Sequence, residues 1–94
     1  MIGKDLTDEA LKTINARGKN YGDIQQNHDL ISLGADVIVK QAIKREGKVT
    51  GKDFALIMIW CKIVRLLSNP WHWDSIVDIV GYAITYYKNL KKKD

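Results

Sequence analysis

The sequence predicts an all-α fold: a four-helix bundle in one domain, residues 1–94, completed by oligomerisation. Three observations predict it. Apolar residues recur at helical spacing in four separate stretches, and each stretch is bounded by a capping residue or a breaker. No stretch alternates with the two-residue period of a strand. Of the 94 residues, 46% are hydrophobic, yet a chain this short hides only roughly 60–65% of its unfolded surface. Some of that apolar surface therefore needs a second subunit to cover it, which predicts a homo-oligomer.

The first helix is predicted from about Leu6 to Arg17, with Asp5 or Thr7 as N-cap and Gly18 as its stop. Leu6, Ala10, Leu11 and Ile14 form its apolar face. Gly18 to Gly22 reads as a loop, and Asp23 as the N-cap of a second helix that has Gln26 three residues on. That helix is predicted to reach Arg45 before Gly47, with Ile24, Leu30, Ile31, Ala35, Ile38, Ala42 and Ile43 as its stripe. Gly34 interrupts the stripe and allows either close packing or a kink.

Thr50 caps the third helix, with Asp53 in the reciprocal position. From Phe54 to Leu67 this helix is apolar nearly all round, the pattern of a helix buried on several sides. Ser68-Asn69-Pro70 ends it. The fourth helix is predicted from Asp74 or Ser75 to about Leu90.

The net charge of +4 loses its force as a nucleic-acid signal once it is located. Lys88, Lys91, Lys92 and Lys93 lie at the end of the last helix, where cations complement the macrodipole. The remaining body is close to neutral, so no duplex-binding footprint is expected. The lone Cys61 lies in an apolar run, as a buried thiol in a reducing compartment would. Met1 to Leu11 lacks the apolar stretch of a signal peptide, and Phe54 to Cys61 is too short to span a bilayer. No membrane association is expected, and the expected location is the cytoplasm.

Polar residues in apolar company mark the candidate site. Lys62 and Arg65 lie three apart on the central helix and share a face; either they snorkel to solvent or they meet anionic partners. Asp74 and Asp78 lie one turn apart, with Ser75 and Tyr82 near the same line. Capping alone explains Asp74. Asp78, flanked by Ile76, Val77, Ile79 and Val80, needs either a salt bridge to Lys62 or Arg65, or a metal ion. Two carboxylates one turn apart make half of a Mg²⁺ site.

His72 lies between Trp71 and Trp73; it suits acid–base chemistry, a phosphate contact or simple packing. The indoles either anchor the loop or stack on a base. Arg17, Lys19 and Tyr21 gather around two glycines just ahead of a helix start, a place that welcomes a phosphate. His28 reads as a surface residue. No phosphate-binding P-loop, dinucleotide fingerprint, zinc-type cluster or nucleophile elbow is present.

Three segments together carry a family likeness: Arg17-Gly-Lys-Asn-Tyr21-Gly22-Asp23, Lys62-Ile-Val-Arg65, and His72-Trp-Asp74-Ser75-Ile-Val-Asp78-Ile-Val-Gly81-Tyr82. The pattern resembles small phage and prophage proteins allied to the all-α nucleotide pyrophosphatases, the MazG-like superfamily. It covers about residues 10–88, and the last segment is the most specific. The resemblance implies a four-helix core assembled as a dimer or tetramer. It further implies Mg²⁺-dependent hydrolysis of a nucleoside triphosphate or related nucleotide between the α- and β-phosphates. On this likeness Asp78, with Asp74, matches the acidic positions that hold the metal, and Lys62 and Arg65 match basic positions that hold phosphates. In the enzyme reading His72 joins Asp74 and Asp78 in the catalytic set, and Arg17, Lys19, Tyr21, Ser75 and Tyr82 join Lys62 and Arg65 in binding the nucleotide.

The sequence departs from that family in one respect. The enzymes carry a Glu-Glu-x-x-Glu cluster on an earlier helix, and here the second helix offers only Asp29 and Asp36, two turns apart. Without it the alternative is a relative that sequesters a nucleotide, or docks on a host protein in host takeover or anti-defence. A purely structural ion-pair network that fixes helix register is the third reading.

Overall fold

The computed structural model describes the backbone of residues 2–21 and 24–91, and side chains at 5–14 and 26–91. Its four helices are α1 (Ile2–Tyr21), α2 (Ile24–Glu46), α3 (Gly51–Ser68) and α4 (Trp73–Lys91), and no strand occurs among the described residues. The α3–α4 hairpin is the centre of the molecule, α2 packs along α3, and among the described residues α1 meets α2.

Two boundaries differ from expectation. Gly18 does not stop α1, which begins at Ile2 and continues through Gly18 to Tyr21. An interior glycine costs about 1 kcal/mol against alanine but leaves the hydrogen-bond ladder intact, so it weakens a helix without ending it. Asp5 therefore lies inside the first turn rather than at the cap. The proposed capping residue of α2, Asp23, lies outside the described residues.

The α2–α3 turn follows the sequence closely. Gly47 has φ of 78°, the left-handed conformation that suits a residue without Cβ, and its N–H donates to Ile43 O at 2.8 Å. Asp53 Oδ2 accepts the Thr50 N–H at 2.9 Å and the Thr50 hydroxyl at 3.0 Å. Asp53 Oδ1 accepts from Arg45 Nη2 at 2.8 Å. Lys52 is buried beside them, its ammonium on Glu46 Oε1 and, at 3.1 Å, on Thr50 Oγ1. Burial pushes the Asp53 carboxyl up. The Thr50 N–H and hydroxyl, Arg45 and Lys52 outweigh that effect and hold it below the usual carboxylate range. The capping pair is legible from Thr50 and Asp53; the ionic ring that Arg45, Glu46 and Lys52 add around it is not.

α3 is less enclosed than its composition suggests. Ala55 and Val64 are buried, but Phe54, Ile63 and Leu67 are exposed. Ala42 on α2 completes the short set of fully buried apolar side chains among the described residues. Exposed large apolar residues also occur on α1, α2 and α4 among the described residues. The helices are apolar enough for a bundle core, and among the described residues much of that apolar surface is uncovered.

Candidate functional site

The turn between α3 and α4 is set by Asn69 and Pro70. The Asn69 N–H donates to Arg65 O at 3.0 Å and closes α3, and the His72 N–H donates to Asn69 O at 3.1 Å. This places His72 just before the first residue of α4, facing the last turns of α3. Because α4 starts at Trp73, Asp74 lies within the first turn rather than at the cap that the sequence suggested.

His72 joins the two helices. Arg65 Nη2 lies 3.0 Å from His72 Nε2, and His72 Nδ1 lies 2.8 Å from Ser75 Oγ. A guanidinium can only donate, so the Arg65 N–H is offered to Nε2. The Ser75 N–H donates to Nδ1 at 3.2 Å, which satisfies one of the free donors at the start of α4. The Ser75 hydroxyl beside the same nitrogen is fully buried. Arg65, His72 and Ser75 thus form one connected chain across the α3–α4 turn.

One turn further along both helices, Lys62 Nζ meets Asp78 Oδ2 at 3.1 Å. This pair is the salt bridge that Asp78 called for among its apolar neighbours. Burial draws the Arg65 guanidinium below its ordinary value, and the charges of Asp74 and Asp78 partly oppose the shift. Both acids of α4 thus act on the cations of α3, and the cluster holds Lys62, Arg65, His72, Asp74, Ser75 and Asp78 together. Tyr82 is half-buried one turn beyond Asp78, on the face of α4 that meets α3.

Other candidates fare differently. Arg17, Lys19 and Tyr21 lie in the last turns of α1, not in a loop, and their side chains lie outside the described residues. His28 is exposed, as expected, and so are Asp29 and Asp36, the latter 2.9 Å from Lys40 one turn on. Trp71 and Trp73 are 87% and 70% exposed, so neither indole anchors the loop to this chain's core. Among the described residues no three His, Cys, Asp or Glu side chains are grouped so as to hold a metal ion. No helix among them is long and apolar enough to cross a membrane.

Comparison with known proteins gives a family without an assigned activity. A model described as "Domain of unknown function (DUF6378)" matches residues 5–88. The Gene 55 protein of Mycobacterium phage L5 is 40% identical over 67 residues, which is 71% of this chain and 40% of the relative. The Gene 55 protein of Mycobacterium phage D29 is 31% identical over 83 residues, 87% of this chain and 51% of the relative. The chain thus spans about half, or less, of the length of these curated relatives. No solved structure matches it. The likeness to phage proteins expected from the sequence is borne out, and neither description mentions a pyrophosphatase.

Proposed function

The chain belongs to the DUF6378 family, and from its α3–α4 cluster we propose that it binds a nucleotide, the phosphates at Lys62 and Arg65 and the base against Trp71 or Trp73. The observation that carries this reading is the exposure of two indoles on either side of a histidine tied to Arg65. An exposed tryptophan costs the free protein apolar surface, and a base stacked on it recovers that surface. Lys62 and Arg65 supply the positive charge one to two helical turns away. Ser75 and His72 hold the guanidinium side of the cluster in place, and Tyr82 lines it further along.

Hydrolysis in the manner of the MazG-like enzymes requires Mg²⁺ and draws on a Glu-Glu-x-x-Glu cluster that this sequence lacks. Asp74 and Asp78 are the residues that would hold the ion together with substrate phosphates, and no third acid joins them among the described residues. The proposed role is therefore binding or sequestration.

The test is titration of the full chain with nucleoside mono-, di- and triphosphates in EDTA, read by tryptophan fluorescence and by calorimetry. Saturable binding that weakens at least tenfold in Arg65→Ala and in either Trp71→Ala or Trp73→Ala supports the reading. No binding up to about 1 mM nucleotide, an affinity of only about −4 kcal/mol, rejects it and leaves docking on a host protein. Release of pyrophosphate on adding Mg²⁺, abolished in Asp78→Asn, would overturn the restriction to binding.

A further inference from the structure

We propose that α4 pairs with α4 of a second copy of this chain, antiparallel about a two-fold axis near Val80 and Ile84. Trp73 is shared with the nucleotide reading, which keeps Trp71 for the base; otherwise the inference stands apart from it and rests on three features of the helix.

The first is the spacing of its outer face. Trp73, Ile76, Val80, Ala83, Tyr87 and Leu90 follow one another at intervals of three, four, three, four and three residues, the seam of two helices packed side by side. Val77 and Ile84 widen it. All eight are exposed, the large ones by 40–70%. The opposite face of α4, with Ser75, Asp78, Tyr82 and Asn89, is the one already used against α3. No charged residue interrupts the seam.

The second is area. The chain exposes 7218 Å², whereas a folded monomer of 10.7 kDa is expected to expose about 5,500 Å². The surplus of roughly 1,700 Å² exceeds the ~800 Å² that one partner gives to a standard interface. Its radius of gyration, 16.3 Å, likewise exceeds the about 12 Å of a compact chain this long.

The third is charge, which chooses the occupant and its direction. α4 carries Asp74 in its first turn and Lys88 and Lys91 in its last. In an antiparallel pair, Lys88 of one copy lies level with Ile76 of the other and Lys91 level with Trp73, so the basic end of each helix runs beside the acidic end of its partner. A parallel pair would set Lys88 against Lys88 and Asp74 against Asp74. The helix is thus self-complementary in one direction only, as an isologous interface requires. The same arrangement brings two cations of the second copy to the Trp73–Asp74 edge of the candidate site.

Sedimentation equilibrium of the full chain tests this, with circular dichroism to confirm that each variant stays helical. The wild type is expected at twice the chain mass. Val80→Glu, which would bury an unpaired carboxylate from each copy near the axis, is expected to weaken association on the order of 100-fold. Lys88→Glu, on the exposed last turn, is expected to weaken it several-fold at low salt, and adding Asp74→Lys is expected to restore it. A wild-type monomer at about 100 µM overturns the proposal, as does a Val80→Glu dimer. So does dissociation by Leu11→Glu on α1 with Val80→Glu silent. Strengthening by Lys88→Glu, or no recovery in the double swap, overturns the antiparallel direction.

Discussion

The indole of Trp60 occupies the space where a side chain on Gly34 would begin. Its Nε1–H donates to Leu30 O at 2.9 Å, and a Cβ built on Gly34 would fall inside the van der Waals envelope of Nε1, Cε2 and Cδ1. The Leu30 carbonyl is the one that accepts the Gly34 N–H within α2. The missing side chain thus lets a residue of α3 reach a backbone oxygen of α2 from the side. Close packing, not a kink, is the reason for this glycine.

Gly34→Ala is accordingly expected to destabilise the protein, against the helix propensity that favours alanine by about 1 kcal/mol. Displacing the indole loses its hydrogen bond and overpacks the α2–α3 contact, for a net loss of about 2 kcal/mol. That corresponds to a drop in melting temperature of about 8–16 °C for a domain of this size. Trp60→Phe keeps much of the ring and loses the donor, so about 1 kcal/mol is expected. Thermal and urea unfolding measure both; a more stable Gly34→Ala would refute the packing role.

The Asp53 network predicts a pH dependence. Asp53 is 1% exposed and its folded pKa lies below its unfolded one. Its ionised form therefore contributes stability that is fully present above the unfolded value of about 3.9, and that is lost as pH falls through the folded value. Asp53→Ala is expected to cost about 2–3 kcal/mol at pH 7, since it strips a buried acceptor from Thr50 and leaves Lys52 and Arg45 without it. Between pH 4 and the folded pKa the gap between variant and wild type should narrow. A gap that stays constant down to pH 2 would remove the linkage.

What the residues reveal in advance follows from how local each cause is. Helix number, the Thr50–Asp53 cap, the Gly47 turn and the stop at Asn69-Pro70 depend on neighbours a few positions apart, and the sequence displays them. Lys62 with Asp78 was accessible too, because an acid set among Ile and Val residues demands a partner. Arg65–His72–Ser75 was not, since it depends on the turn that swings His72 back over α3. The reading of Gly18 as a stop failed because a glycine weakens a helix without marking where it ends. The enclosure expected for α3 failed on a different ground. An all-round apolar pattern records how apolar a helix is, not how much of it the rest of the chain covers.

Cys61 carries a chemical prediction. Burial pushes its thiol up, and the neighbouring Lys62 charge only partly opposes this. Less thiolate is then present at any given pH than on an exposed cysteine, and the half-buried sulfur is harder to reach. Alkylation by iodoacetamide at neutral pH is expected to run at least tenfold slower in the folded protein than in urea. Equal rates would show that the Cys61 thiol is as accessible in the folded chain as in urea, and would refute the protection.

The Lys62–Asp78 pair separates a site from a structural staple. With 21% of the lysine side chain and 44% of the aspartate exposed, the pair is only partly withdrawn from water. A double-mutant cycle with Lys62→Met and Asp78→Asn is therefore expected to give a coupling of no more than about 1 kcal/mol. A fully desolvated pair would cost about 3–5 kcal/mol on losing one partner. A weak coupling means that Lys62 can leave Asp78 for a phosphate at little expense to the fold. Lys62→Met should then lower nucleotide affinity well beyond its effect on unfolding. A coupling above 3 kcal/mol, with binding untouched, would assign the pair to holding α3 and α4 in register.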